Sequence, residues 1–379
     1  MRILFTFAGG SGHMEPLVPL ARAAHAAGHD VAFVGRPWMQ PKAEALGFAA
    51  FSAGSDAGLA PVRRPLAVVD MAQELRAVGA GFGGRVAGER APGVLDICAA
   101  WRPDLLVCEE VDFGAMVAAE ALGLPAATVL VIAAGGFVRP EHVAAPLDAV
   151  RAAHGLLPDP ELAMLRRGLV LSPFPPSYRR AGDVLSAGAL PFRVAAPQAG
   201  ALPPWWPGME ERPLVYFTLG TVFNVESGDL FQRVLAGLRQ LPVRLLVTVG
   251  RDIDPAELGP QPAHVRVERF VPQAQVLPHC AMVAHHAGSG SVVGALAHGL
   301  PMLLLPMGAD QPLNAARCAE LGVAQALDAL VATPEQVRRA AAEVLAEPAY
   351  RRAAQALRDE IAALPAPAQI IPALERLAR

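Results

Sequence analysis

Apolar runs with no polar interruption recur along this chain: ILFTF at Ile3–Phe7, VAFV at Val31–Val34, DLLVC at Asp104–Cys108 and the stretch Ala126–Ile132. A second series of strand-like runs, some with polar positions, follows: LVYFTLG at Leu214–Gly220, VRLLVTV at Val243–Val249, HVRVERF at His264–Phe270, MVAHH at Met282–His286 and MLLLP at Met302–Pro306. Strands that are apolar on both faces fit a parallel sheet covered on both sides. Helical signatures lie between them. Pro16 opens a helix running to Ala27 and ended by Gly28, one around Met39–Leu46 ends at Gly47, and one over Phe113–Leu122 ends at Gly123. Residues 66 to 100 read as helical but broken by glycines between 79 and 84. Further helices are predicted near Ser227–Gln240, up to His298, up to Leu321, after the capping box Thr333-Pro334-Glu335-Gln336, and in a tail split by Pro365 and Pro367.

The alternation pauses at PQAGALPPWWPGMEERP, Pro197–Pro213, where Pro and Gly accumulate as in a linker. The expected organisation is an N-terminal domain over 1–196, a Pro-rich linker over 197–213, a second domain over 214–364, and a helix in 365–379 that packs back towards the first domain. The fold class is α/β, with two Rossmann-like domains facing a cleft. A length of 379 residues suits two domains.

Composition narrows the function classes. The chain is 53% hydrophobic and 18% charged, a globular balance. A net charge of −3 offers no broad basic field for nucleic acid or an anionic membrane. Cys98, Cys108, Cys280 and Cys318 lack paired spacing and read as small buried thiols. The first apolar run is too short for a secretory leader, and Ala126–Val138 falls short of a membrane span, so a cytoplasmic protein is expected.

Candidate chemistry concentrates at two turns. His286-Ala287-Gly288-Ser289-Gly290-Ser291 joins a strand to a helix. A small-residue turn at a helix start holds phosphate, because backbone amides point outward and the helix dipole favours negative charge. Asp310-Gln311 at the mouth of the next helix carries groups that read hydroxyls. Phosphate plus polyol points to a sugar nucleotide. In the first half, His13 lies in GGSGHMEPLVPL between the first strand and the Pro16 helix, where open α/β sheets take ligands. Asp252-Ile253-Asp254 matches the DxD signature of manganese-dependent transferases, but it lies apart from the phosphate turn, and no metal is expected. His285 and His286 are adjacent on a strand end and point to opposite faces, which argues against joint chelation.

The segment FVPQAQVLPHCAMVAHHAGSGSVVGALAHGLPMLLLPMGADQPLNAARCAEL (Phe270–Leu321), together with Gly9–Leu20 and Tyr216–Asn224, resembles the family 1 inverting glycosyltransferases of the GT-B fold. The likeness is greatest to the actinobacterial branch that decorates natural products such as polyketide antibiotics. It implies transfer of a sugar from a UDP- or TDP-sugar to a hydroxyl of a small apolar acceptor, with no cofactor beyond the donor. It implies that His13 is the base that deprotonates the acceptor, helped by a carboxylate from the loop after Asp104–Cys108. There Glu109 stands where the family usually has Asp; Asp112 is the alternative, and one of Glu109, Glu110 and Asp112 is expected to cap the next helix. Phe270 would stack on the base and Val271 read its edge, with Gln273 near the ribose. Gly220, Thr221, His286, Gly288, Ser289, Gly290 and Ser291 would hold the diphosphate, and Asp310 and Gln311, with Asn314, the sugar. Ala287 replaces the family's usual glycine. Two other readings stay open: a sugar-nucleotide epimerase on the same fold and a non-catalytic partner of another transferase. Homodimer assembly also stays open.

Overall fold

The computed structural model describes residues 1–56, 62–180, 183, 185, 187–194, 212–221 and 223–379. In chain order the first half contains β1 (Arg2–Thr6), α1 (Ser11–Met14), α2 (Val18–Ala26), β2 (Asp30–Gly35), α3 (Gln40–Ala45), β3 (Ala49–Ser52), α4 (Met71–Val78), α5 (Ala87–Trp101), β4 (Leu105–Glu109), α6 (Phe113–Ala121), β5 (Ala126–Val129), α7 (Pro140–Ala153), β6 (Val170–Ser172) and β7 (Leu190–Pro191). The second half contains β8 (Leu214–Thr218), α8 (Leu230–Leu238), β9 (Arg244–Thr248), β10 (Val265–Glu268), α9 (Gln273–Val276), β11 (Cys280–His285), α10 (Ser289–Ala297), β12 (Met302–Leu304), α11 (Gln311–Glu320), β13 (Ala324–Ala326), α12 (Pro334–Ala346), α13 (Pro348–Ala363) and α14 (Pro367–Leu377).

The strands form two parallel sheets, ordered β3-β2-β1-β4-β5-β6-β7 and β10-β9-β8-β11-β12-β13. Both are doubly wound. In the first, β1 pairs with β2 on one side and β4 on the other; in the second, β8 sits between β9 and β11. The uninterrupted apolar runs are explained by burial on both faces: β4 and β8 are buried at every position.

The chain divides into two units, one of Met1–Leu59, Met71–Ala195 and Ala363–Arg379, the other of Ala60–Asp70 and Ala196–Ala362. Each has its own core. Phe5, Phe33 and Leu20 pack with Ile370, Ile371 and Leu374 of α14 in the first. Phe217, Phe231, Val234 and Val337 anchor the second. The unbroken domain expected over 1–196 therefore needs one correction: Ala60–Asp70 groups with the second unit. Arg63 makes a paired bond to Glu257 there, the Arg64 amide donates to the Val225 carbonyl, and Leu66 packs beside Gly228. Of the linker expected over 197–213, only Arg212 and Pro213 lie within the described residues.

The glycines between 79 and 84 do not break the helix there. The chain stays helical from α4 to α5, but Gly79–Val86 is wound as π-helix. All four cysteines are buried free thiols. Among the described residues, no helix is long and apolar enough to cross a membrane.

Candidate active site

The strand order reverses between β1 and β4 in the first unit and between β8 and β11 in the second, where ligands enter open α/β sheets at the carboxyl ends of strands. His13 and Glu109 lie at the first reversal and Gly220, Thr221 and His286 at the second, whereas Phe270 follows the edge strand β10 and Asp310 follows β12.

In the first unit, His13 sits in the helical turn α1, rather than in the loop expected, directly after β1. Its Nδ1 lies 3.0 Å from Oε1 of Glu109, the last residue of β4. Glu109 is buried and well anchored: Oε1 also accepts from the Ala8 amide at 3.1 Å, and Oε2 from the Val111 amide at 2.9 Å. The extra methylene of Glu over Asp is thus absorbed by two amides that fix the carboxylate against the ring. The ring in turn lies on Gly9, where a Cβ would come within 2.1 Å of His13 Cδ2. No side chain fits there unless the imidazole moves. We predict that Gly9→Ala lowers turnover about tenfold or more without loss of folded protein, because a displacement of about 1 Å at a reacting group costs on the order of 10²-fold. Steady-state kinetics beside a circular dichroism spectrum checks this, and an unaltered kcat would rule it out.

Asp112 and Glu110 do other work. Asp112 pairs through both carboxylate oxygens with the buried Arg90, at 2.8 and 2.6 Å, and accepts from the Ala115 amide at 3.3 Å to cap α6. As an alternative partner for His13 it is therefore corrected: its oxygens face Arg90. Glu110 accepts from the Val131 and Ile132 amides. Burial pushes its carboxyl up to about 7, although Arg179 opposes the shift.

In the second unit, His286 follows β11 at the start of the small-residue turn. Its ring lies between two glycines: a Cβ at Gly220 would meet Cε1 at 2.6 Å, and one at Gly288 would meet Nε2 at 2.5 Å. Burial lowers its pKa to about 4, so the ring is neutral at pH 7. Its Nδ1 is buried with no hydrogen-bond partner among the described residues. Ala287 has φ 66°, which explains why glycine suits this position. Its amide donates to His285 Nδ1 at 3.1 Å and its carbonyl accepts from Asn314 Nδ2 at 3.0 Å. Gly288 precedes α10 as its N-cap, Ser289 and Ser291 lie in the first turn, and Gly290 is exposed.

Asp310 does not cap α11. Its Oδ2 accepts from Ser289 Oγ at 2.6 Å and Asn314 Nδ2 at 2.8 Å, which ties the loop before α11 to the turn before α10. Gln311 is buried, and its Oε1 accepts from the Met307 amide at 2.8 Å, which holds the loop before α11. Phe270 follows β10 with 66% of its surface exposed, so it is no core residue but a bare aromatic face. Val271 beside it is buried, Gln273 opens α9 and reaches the buried Tyr216 hydroxyl, and Thr221 is exposed after Gly220. Asp254 of the DxD triplet accepts from the Ala256 amide and caps the short turn Pro255–Leu258, with Glu257 closing the capping box.

The buried His286 makes a prediction about acid stability. Its folded pKa, about 4, lies below the ordinary 6.5. Above pH 6.5 neither state holds the proton and nothing is lost. As pH falls from 6.5 towards 4, the unfolded chain takes up a proton that the fold refuses, at a cost approaching about 3 kcal/mol for a shift of this size. Glu110 acts oppositely, gaining a proton in the fold below about 7. The test is therefore a difference: His286→Gln should lose less stability than the native chain between pH 7.5 and 4.5 in guanidinium unfolding. Parallel curves would contradict it.

Sequence reasoning missed Arg90, the partner that removes Asp112 from consideration, and Phe82, whose ring stacks on His13 at 5.6 Å between centroids and 24° between planes. A buried arginine inside the glycine-rich helical stretch was the available signal for the first; nothing in the glycine pattern pointed to the second.

Comparison with known proteins places these features. Residues 232–377 match the family described as the C-terminal domain of erythromycin biosynthesis protein CIII-like proteins. Elloramycin glycosyltransferase ElmGT of Streptomyces olivaceus is 32% identical, covering 98% of this chain and 96% of its own. The 10-deoxymethynolide desosaminyltransferase of Streptomyces venezuelae is 29% identical over 100% of this chain and 97% of its own. Among solved structures, spinosyn rhamnosyltransferase SpnG complexed with thymidine diphosphate superposes with a TM-score of 0.82 at 27% identity, covering 99% of this chain and 100% of that one.

Proposed function

Because this chain belongs to the antibiotic glycosyltransferases of the GT-B fold, we propose that it moves a deoxysugar from a TDP-sugar to a hydroxyl of an apolar polyketide or aromatic acceptor, with inversion at the anomeric carbon. The observation that carries the mechanism is the His13–Glu109 pair at 3.0 Å. With Nδ1 on the carboxylate, Nε2 is the nitrogen that takes the acceptor's proton. Glu109 holds the ring in that tautomer and stabilises the imidazolium as it forms. The deprotonated oxygen attacks the anomeric carbon as the bond to the diphosphate breaks on the opposite side, so one displacement inverts the centre.

The second unit supplies the leaving-group side. The diphosphate lies on the start of α10, where the Gly288–Ser291 amides and the helix dipole face it. His286, neutral when the site is empty, donates from Nε2 beside Gly220 and Gly288, and gains proton affinity as phosphate charge arrives. Phe270 covers the thymine ring, and Asp310, oriented by Ser289 and Asn314, reads sugar hydroxyls. No metal has a role in this scheme: the charge on the departing diphosphate is met by amides, hydroxyls and an imidazole. Relatives whose names specify desosamine and daunosamine transfer favour TDP over UDP and a deoxysugar over glucose. A cytoplasmic location and homodimer assembly complete the proposal.

A panel of TDP- and UDP-sugars against phenolic, anthracycline-type and macrolactone acceptors, read by mass spectrometry with NMR of the anomeric linkage, tests the reading. Glycosylated acceptor with inverted configuration supports it. Isomerised sugar nucleotide without acceptor would point to an epimerase, and retained configuration would remove the direct displacement.

A further inference from the structure

Phe82 belongs to the stretch where the helix changes its winding. Gly79–Val86 is π-helical, between the α-helical Met71–Val78 and Ala87–Trp101. Such segments are rare in proteins and recur at functional sites, because the wider turn redirects side chains that a regular helix would aim elsewhere. Here the glycines permit it. A Cβ on Gly79 would come within 1.9 Å of the His142 carbonyl oxygen, so α7 backs onto the segment at a distance only glycine allows. Gly83 meets Val143 and Gly84 meets Pro146 of the same helix. Phe82 of the same segment, half-buried, stacks on the His13 imidazole.

The ring of His13 is thus restrained on three sides. Gly9 forms its floor, Glu109 holds Nδ1 at its edge, and Phe82 lies nearly parallel above, at 5.6 Å and 24°. One hydrogen bond leaves an imidazole free to pivot about the bonded nitrogen; a floor and a stacked ring remove that freedom. Of these three contacts, only the Phe82 contact comes from a segment whose winding departs from the ordinary helix.

We propose that Phe82 is a positioning residue for the base, held over His13 by the π-helical turn, and that it fixes the plane in which the imidazole meets the acceptor hydroxyl. This rests on the reading of His13 as base. Phe82 makes no proton transfer of its own. Its contribution is orientation, on the scale of an aromatic pair, about tenfold in rate. A segment packed only for stability would tolerate any apolar residue of similar volume at 82; a positioning ring needs a flat face.

The experiment uses the full chain and the donor–acceptor pair that turns over fastest in the panel above. Phe82→Leu should lower kcat about tenfold and leave the KM for the TDP-sugar unchanged, while Phe82→Tyr keeps kcat near the native value. In a His13→Ala background, Phe82→Leu should have no further effect on the residual rate, since the residue it positions is gone. NMR supplies a readout free of turnover: the His13 ring protons, assigned by their loss in His13→Ala, should lose an upfield ring-current shift in Phe82→Leu. Equal kcat in the Leu and Tyr variants, or an undiminished effect in the His13→Ala background, overturns the proposal. A His13→Ala enzyme with native turnover overturns the base assignment instead, and an unmoved ring-current shift shows that the stacking is absent in solution.

Discussion

Turnover by the His13→Ala enzyme is expected to fall by about 10²- to 10⁴-fold, the usual worth of a positioned general base. Affinity for thymidine diphosphate is expected to stay within about twofold, because on the proposed role the change removes a group that acts on the reacting atoms and not one that holds the nucleotide. The separation follows from the fold. His13 and Glu109 close the strand-order reversal of the first sheet, whereas the small-residue turn and the loop before α11 belong to the second. Glu109→Gln should reproduce most of the loss. An amide keeps the volume and can still bond to His13, but it removes the charge that stabilises the imidazolium and permits the wrong ring tautomer. Isothermal titration with thymidine diphosphate and single-turnover kinetics make the two measurements. Native turnover in the alanine enzyme removes the base from the mechanism; a large loss of nucleotide affinity would show that the two sites are not separable in this way.

The second large effect falls on stability. Asp112→Ala is expected to cost about 3–5 kcal/mol, since it strands a buried guanidinium. Arg90 and Asp112 are both almost fully covered, and the pair is joined by two hydrogen bonds. The remaining donors of Arg90 reach the Ala53 carbonyl at 2.9 Å and the Val34 carbonyl at 3.4 Å, linking the ends of β2 and β3 to the start of α6. Losing the carboxylate also removes the cap on α6, worth about 1 kcal/mol. Asp112→Asn, which can still cap, should lose less. Denaturant unfolding measures the difference. A loss under about 1 kcal/mol would mean that water reaches Arg90 once the carboxylate is gone. The pair also guards against a misreading: an inactive Asp112 variant reports on folding, while an inactive Glu109→Gln variant with native stability reports on chemistry.

The parallel sheets were legible because their central strands are apolar without interruption, which only burial on both faces explains. The edge strands β3, β7 and β13 and the three-residue β6 were not, because two to four residues carry too little pattern to separate from loop. At the site, His13, Glu109, His286 and Asp310 could be placed at strand and helix ends because turn chemistry there is local. That Gln311 pins its own loop could not be read, since an amide's bond to a backbone N–H leaves no mark in a sequence. Nor could the winding of residues 79 to 86. Glycines that break a helix in water also let two helices touch, and the choice between these is made by α7, about sixty residues further along the chain. The grouping of Ala60–Asp70 with the second unit was hidden for a like reason: Arg63 finds Glu257 only after both are folded.

The contribution of α14 to the first core has a consequence for how the protein is made. Ile370, Ile371 and Leu374 complete the layer over Phe5, Phe33 and Leu20, yet the ribosome reaches them after the whole of the second unit. At about 5–20 residues per second, the nascent first sheet waits roughly ten to forty seconds with that wall missing. During translation the order of completion is therefore inverted: the half that emerges first is the half that closes last.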